Sequence, residues 1–332
     1  MQAVTPIDST SSFDANDLSL LLKGAGDALR LEVLRALSAD SFGVLELCHI
    51  FDVKQSGMSH HLRVLSKAGL VTTRREGNSI FYRRVPLDAQ ADYTPLKSAL
   101  FHLCDQLRFS EQTNQRLAEV YQQRSVASQQ FFSHNASKFH QQQELIADLG
   151  VYGPAVTELM DKTSFPTPEK ALEVGPGTGE FLPVLAERFS KVIALDNSEN
   201  MLQQAKAFSQ SQGLNNIEFV LADTSYCQKQ HEAFDCVVVN MVLHHVPSPG
   251  QVFADVSQAL RPNGILLICD LCRHDQEWTQ TSCGDLWLGF DPLDLNQWAL
   301  ENNFTENQTS FIALRNGFQI QLKQFTKQRS SS

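Results

Sequence analysis

The 332-residue chain has no apolar run approaching the roughly 20 residues that a membrane-crossing helix needs. It opens on no charged-then-apolar leader. Its seven cysteines are an odd number in no regular framework, which argues against a secreted disulfide scaffold. These absences together describe a reduced, soluble, cytoplasmic protein. An overall positive charge is also lacking. The net charge is −10 and the sequence pI about 5.5, so nothing global points to nucleic acid. No internal repeat is visible, and glutamine is the only compositional bias. The length allows two domains, and a hydrophobic content of 42% is ample for their cores.

Against the acidic average stands one basic island. Lys54, Arg63, Lys67, Arg74, Arg75, Arg83 and Arg84 face a single acid, Glu76. Apolar residues recur at threes and fours from Leu18 to Leu37, which predicts a helix. A second helix fits Val44 to Phe51 and a third Gln55 to Ala68, closed by Gly69. Leu70 to Arg75, a turn at 76–79, and Ile80 to Val85 then read as a β-hairpin. Three helices and a hairpin make a winged helix-turn-helix. In the third helix Met58, Leu62 and Leu65 form an apolar face, opposite Gln55, Ser56, Ser59, His60 and Arg63. Such side chains at a helix start reach base edges and phosphates. Arg74, Arg75 and Asn78 at the hairpin would follow the DNA backbone or minor groove.

Residues 18–90 resemble the ArsR-type winged-helix repressors. The resemblance rests on Glu46-Leu47-Cys48, Ser59-His60-His61-Leu62-Arg63-Val64-Leu65, Ala68-Gly69-Leu70-Val71 and Arg75-Glu76-Gly77. It implies a dimer that reads inverted-repeat operators in double-stranded DNA. The metal-sensing branch of that family carries C-x-C where this chain reads Cys48-His49-Ile50, and Ile cannot ligate a soft metal. No metal is expected at that place. Leu96, Leu100, Leu103 and Leu107 are spaced four, three and four, a seam suited to a homodimer through residues 92–110. The expected organisation is a tail over 1–17, the DNA-reading domain over 18–90, a helical linking and dimerising segment over 91–140, and a ligand domain over 141–328.

The ligand domain alternates strand and helix. Strands fit Lys170–Val174, Val192–Leu195, Ile217–Val220, Cys236–Asn240 and Ile265–Asp270, with a terminal hairpin of Phe311–Leu314 and Phe318–Phe325. That order predicts an α/β fold with a mostly parallel sheet. After the first strand comes Glu173-Val174-Gly175-Pro176-Gly177-Thr178-Gly179-Glu180. The spacing is G-x-G-x-G, and Glu180 stands where a dinucleotide site has a third glycine. A carboxylate at that helix start would repel a pyrophosphate, so the turn suits an adenosine ligand without phosphate.

Asp196 ends the next strand, about 20 residues on, where a ribose diol needs an acceptor. Asn197 and Met201 follow it, Ala222-Asp223 end the third strand, and Asn240 ends the fourth. Residues 140–325 thereby resemble the class I S-adenosylmethionine-dependent methyltransferases, with a Rossmann-like fold. By that resemblance Glu173, Gly175, Gly177 and Gly179 form the first motif, and Asp196 takes the ribose. Met201, Ala222 and Asp223 flank the adenine, and Asn240 sits by the methionine portion. The implied ligand is S-adenosylmethionine or S-adenosylhomocysteine.

Methyl transfer asks mainly for positioning. His244, Asp270, His274 and Glu277 are candidates for the acceptor side and for a base, and Trp278, Trp287 and Phe290 for a pocket wall. Cys269-Asp270-Leu271-Cys272 with Cys283 leaves arsenite methylation as a minor alternative. The whole chain is similar to bacterial fusions of an ArsR-type head to a methyltransferase domain. Two functions stay open. One is a regulator that senses an adenosyl ligand. The other is a working small-molecule methyltransferase, with the winged helix as an accessory or protein-contact module.

Overall fold

Asp14 and Asp27 start the first two helices, Ala15–Ala25 and Ala28–Ala36, by accepting the backbone N–H groups of Asn16 and Arg30. The single helix expected over Leu18 to Leu37 is therefore two. Arg30 consolidates the break, its guanidinium donating to the carbonyls of Gly24 (2.7 Å) and Lys23 (2.8 Å). The computed structural model describes residues 14–87, 91–135, 143, 145–165 and 168–329. Most of the expected 1–17 tail lies outside the described residues, as does the end of the 91–140 segment. Contacts divide the chain into two compact units, Met1–Ala118 and Glu119–Ser332.

In the first unit, helices Val44–Phe51 and Gln55–Lys67 follow the initial pair. Met58, Leu62 and Leu65 are fully buried with Leu34, Leu47 and Ile50. Strands β1 (Phe42–Gly43), β2 (Val71–Glu76) and β3 (Ser79–Arg84) form an antiparallel sheet in the order β1-β3-β2, with Gly77-Asn78 at the hairpin turn. Helix Thr94–Asp105 and the start of helix Glu111–Asn135 complete it, and the boundary between the units falls inside the latter helix.

The second unit is a seven-stranded sheet. Strands β4 (Lys170–Val174), β5 (Lys191–Asp196), β6 (Ile217–Leu221), β7 (Phe234–Asn240), β8 (Leu260–Leu271), β9 (Phe304–Ala313) and β10 (Gln319–Lys327) lie in the order β6-β5-β4-β7-β8-β10-β9. The first five are mutually parallel, and β10 is antiparallel to both β8 and β9. Near-continuous apolar runs in β4, β5, β7 and β8 are buried, as strands covered on both faces require. The terminal hairpin is longer than expected, because β9 begins in the polar run Thr305–Ser310, most of it exposed. Chain order reverses between β4 and β7, and the carboxyl ends of strands open a crevice at such a switch point. Among the described residues, no helix is long and apolar enough to cross a membrane.

Candidate functional site

β4 ends at Val174, and the chain turns at once on Gly175, whose N–H donates to the Leu195 carbonyl (2.8 Å). Gly175 holds φ +66°, and a Cβ there would lie 2.5 Å from Cγ2 of Val242. Gly179 holds φ +90° with a Cβ position only 3.0 Å from the Ala205 backbone, so the turn packs directly on helix Glu199–Ser211. Only glycine meets both the backbone conformation and the space.

The turn borders a cleft of about 520 Å³, a size ordinary for small-ligand sites. Gly175, Gly177, Asp196, Asn197, Met201, Ala222, Asp223 and Asn240 all line it. Of the expected ligand residues, Glu173 and Gly179 do not. Glu173 is buried in β4, and Gly179 faces the helix behind the turn.

The polar groups here are poised but incompletely satisfied. Oε2 of Glu173 and both polar atoms of the Asn240 side chain make no hydrogen bond of full geometry among the described residues, although the two side chains are close enough to interact. Burial pushes the Glu173 carboxyl up to about 8, with the neighbouring Asn240 side chain pulling the other way. Asp196 accepts the Ser198 N–H at 2.8 Å. Burial raises its carboxyl to about 6, against the backbone N–H groups of Ser198 and Asn197. Asp223 is exposed and caps the short turn Thr224–Lys229 through the Ser225 N–H (3.0 Å). Just past Asn240, Met241 adopts φ +54°, a strained conformation for a side chain of its size.

Several cleft residues had no signal in the motif reading. Tyr121, Ser125, Ser128 and Phe132 form a wall from helix Glu111–Asn135. Their spacing of four, three and four places them on one helix face, but polar residues in a glutamine-rich helix read as a solvated surface. Ser128 donates to the His245 carbonyl (3.2 Å), and Arg124 to that of Pro247 (3.1 Å). Asp255 is a second omission. It is buried at the cleft and accepts from Thr224 (2.7 Å), Gln228 (2.9 Å) and Gln251 (2.8 Å).

The acceptor-side candidates fare differently. None of His244, Asp270, His274 or Glu277 lines the cleft; His245 does. His244 is buried, with Nδ1 2.7 Å from Asp270 Oδ1. Asp270 also accepts the N–H groups of Leu243 and Leu271, each at 2.8 Å. Burial alone would lower the His244 pKa, but the carboxylates of Asp270 and Asp285 outweigh it and bring it to about 9. His274 packs edge-on against Phe318, and Glu277 is exposed beside the short helix Trp278–Ser282.

The aromatics expected as a wall lie elsewhere too. Trp287 donates to the Val246 carbonyl (2.8 Å) beneath Arg124, Phe290 packs on Trp298, and Trp278 on Phe318. Cys269, Cys272 and Cys283 are buried and off the cleft, and burial raises each thiol. Neutral, inward thiols give a metalloid no convergent thiolate set.

In the first unit, Gln55, Ser56, His60 and Arg63 are exposed along helix Gln55–Lys67, with Ser59 half-buried beside them, and Arg75 and Asn78 are exposed on the hairpin. Arg74 is a correction. It is buried and its Nε contacts the buried Glu76 carboxylate, because alternate residues of β2 face inward. Arg84 also turns in, donating to the Leu34 carbonyl (2.7 Å) and pairing with Asp105. The outward part of the basic island is Lys54, Arg63, Lys67 and Arg75.

Comparison with known proteins matches residues 26–74 to a helix-turn-helix domain family and 172–268 to a methyltransferase domain family. Trans-aconitate 2-methyltransferase of Variovorax paradoxus is 33% identical over 113 residues, covering 33% of this chain and 42% of that protein. Ubiquinone biosynthesis O-methyltransferase of Coxiella burnetii is 27% identical over 141 residues, covering 39% and 60%. The chain thus spans less than two thirds of the length of these curated relatives. Among solved structures, a chain of the Haloferax volcanii complex between a methyltransferase activator and a methyltransferase superposes with a TM-score of 0.52. It has 12% identity, and the match covers 62% of this chain and 99% of that one. The seven-stranded sheet is a Rossmann-like methyltransferase fold, and the chain joins an N-terminal helix-turn-helix domain to a C-terminal methyltransferase domain.

Proposed function

We propose that the protein is a DNA-binding regulator of ArsR type whose methyltransferase domain binds S-adenosylmethionine or S-adenosylhomocysteine as its effector. The observation that carries the ligand is the convergence of Gly175, Gly177, Asp196, Met201, Asp223 and Asn240 on one cleft at the glycine turn. Asn240 lines the cleft, and its side-chain oxygen would accept from a ligand's ammonium group. Asp196, at the end of β5, is free to accept a ribose diol on its cleft side. Met201 and Ala222 supply apolar contact for a purine, and Asp223 an acceptor for its amino group. Glu180, two residues before helix Leu182–Arg188, places a carboxylate near the helix start that would disfavour a phosphate there.

On the DNA side, Gln55, Ser56, Ser59, His60 and Arg63 would enter the major groove, with Arg75 and Asn78 on the backbone. Two copies would pair through residues 92–110 to read an inverted repeat in double-stranded DNA. The exposure of Leu103 at 62% supports that face. Helix Glu111–Asn135 begins in the DNA-reading unit and carries the cleft wall Tyr121–Phe132, so one element belongs to both units. Ligand can shift the DNA equilibrium only if it binds the competent and incompetent states unequally.

The test is an operator titration, with the operator selected from random duplex DNA, in the absence and presence of each ligand. A change in operator affinity of about fivefold or more is expected, at the lower end of ordinary coupling energies. Identical affinities with a saturated cleft would rule out the effector role.

A second reading, turnover on a small acceptor, is favoured by the curated relatives, whose names describe methyl transfer to small molecules. S-adenosylmethionine supplies a methyl group on a positively charged sulfur. The chain would position the acceptor against it, with Ser128, Phe132 and His245 on that side of the cleft. Transfer of radiolabelled methyl into lysate small molecules reads this directly, and background counts with ligand bound would exclude it.

A further inference from the structure

The buried group of His244, His245 and Asp285 is explained neither by an adenosyl ligand nor by DNA. We propose that these three side chains form a binding site for a borderline divalent transition-metal cation beside the ligand cleft. The proposal goes beyond the function above and does not rest on it.

One ligand atom from each residue lies within 4.8 Å of the other two. His244 Nε2 and His245 Nδ1 are 3.9 and 3.7 Å from Oδ1 of Asp285. Donors bonded at about 2.0–2.2 Å in a tetrahedron stand about 3.3–3.6 Å apart, so an ion would draw the carboxylate contacts in by a few tenths of an ångström and the widest pair by up to about 1 Å. Neither oxygen of Asp285 makes a hydrogen bond of full geometry among the described residues, although the residue is only 4% exposed and Thr279 lies near enough to favour its charged form. A buried carboxylate so weakly hydrogen-bonded is stabilised by a cation or a proton.

The surroundings of His244 have the form of a ligand support. Asp270 takes the Nδ1 side at 2.7 Å and is itself fixed by the N–H groups of Leu243 and Leu271. That places the hydrogen on Nδ1 and turns the Nε2 lone pair toward Asp285, as in carboxylate–histidine–metal arrangements. His245 Nδ1 also donates to the Gly284 carbonyl (3.2 Å), so an ion would replace that hydrogen and find the carbonyl oxygen at the same place. Two imidazoles and a carboxylate suit Zn²⁺, Fe²⁺, Co²⁺ or Ni²⁺. Because His245 lines the cleft, an open coordination position is available to an oxygen or nitrogen donor bound there. The sequence hides the site, since a vicinal His pair and an Asp forty positions on match no ligand spacing.

The rival occupant is a second proton on His244, held between the carboxylates of Asp270 and Asp285. The experiment uses the full chain, stripped with chelator and reloaded with Co²⁺ or Zn²⁺. About one tightly held ion per chain is expected. The Co²⁺ form should show visible d–d bands without the near-ultraviolet thiolate band that a cysteine site would give. Asp285→Asn should weaken Zn²⁺ binding at least about tenfold, and Asp270→Asn about 10–100-fold. Both variants should keep the wild-type circular dichroism spectrum. Folded wild-type protein that retains no ion, or a Co²⁺ spectrum dominated by thiolate, would overturn the site without recourse to any variant. Undiminished binding in folded Asp285→Asn would overturn it equally.

Discussion

Replacing Gly175 with Ala tests the physical basis of the cleft more sharply than deleting a ligand contact. Two costs arise together. An L-residue held at φ +66° is strained by roughly 1–2 kcal/mol. The new methyl also falls 2.5 and 3.0 Å from the two γ-carbons of Val242, an overlap of the kind that costs about 1–3 kcal/mol in packed sites. The sum is about 3 kcal/mol, which for a domain of this size lowers Tm by roughly 6–12 °C. Relief by shifting the turn would move the backbone that borders the cleft, so adenosyl-ligand affinity should fall at least about tenfold, or about 1.4 kcal/mol.

The two costs separate in a double-mutant cycle with Val242→Ala, assayed by thermal unfolding and by ligand calorimetry. Removing both γ-carbons abolishes the overlap and leaves the backbone strain. Gly175→Ala/Val242→Ala should therefore be more stable than the sum of the single changes by roughly 1–3 kcal/mol. It should still fall short of Val242→Ala alone by the strain. Additivity within about 0.5 kcal/mol would mean that Val242 does not confine the turn. The steric reading of Gly175 would then be wrong, whatever the binding data showed.

Three further outcomes follow from single residues. The Glu173 pKa rises from 4.5 to about 8 on folding, so the unfolded chain releases that proton first. Its contribution to stability is full below pH 4.5 and falls as pH rises to about 8, at up to about 1.4 kcal/mol per pH unit. Glu173→Gln should flatten that slope in denaturant titrations across pH and stabilise the ligand-free protein above pH 8; an unchanged slope would contradict the burial argument. Arg63→Ala should weaken DNA binding and reduce the salt slope by about one with melting unchanged, whereas Arg74→Ala should destabilise the first unit by about 3–5 kcal/mol by stranding the buried Glu76. Equal effects of the two on DNA affinity and on melting would refute the inside–outside assignment along β2. Leu103→Glu should shift sedimentation from dimer to monomer and lower operator affinity, and an unaltered sedimentation profile would remove residues 92–110 from the interface.

What could be read in advance divides along physical lines. Gly175, Asp196, Ala222 and Asn240 were legible because each stands where a buried strand ends, and strand ends in an alternating α/β chain are set by local hydrophobic runs. The helix face of Tyr121, Ser125, Ser128 and Phe132 was not, because a polar stripe lining a cleft has the same composition as one facing water. Arg74 and Arg75 show a related limit. Both count equally in a charge sum, but strand alternation sends one to Glu76 and the other outward, and a register decides which.

His244 shows the limit most clearly. As a histidine after a strand it was assigned to the acceptor side, yet it is enclosed between two carboxylates from distant segments, and its neighbour His245 takes the cleft. Adjacent residues in the 3-10 turn Leu243–His245 point about 120° apart, so one of the vicinal pair can border the cleft while the other points away from it. His244 can reach bound acceptor only through what it shares with His245. A cation held by both is such a link, and a proton confined to His244 is not. Metal content therefore decides whether the enclosed carboxylates support the chemistry of the cleft or only the packing beneath it.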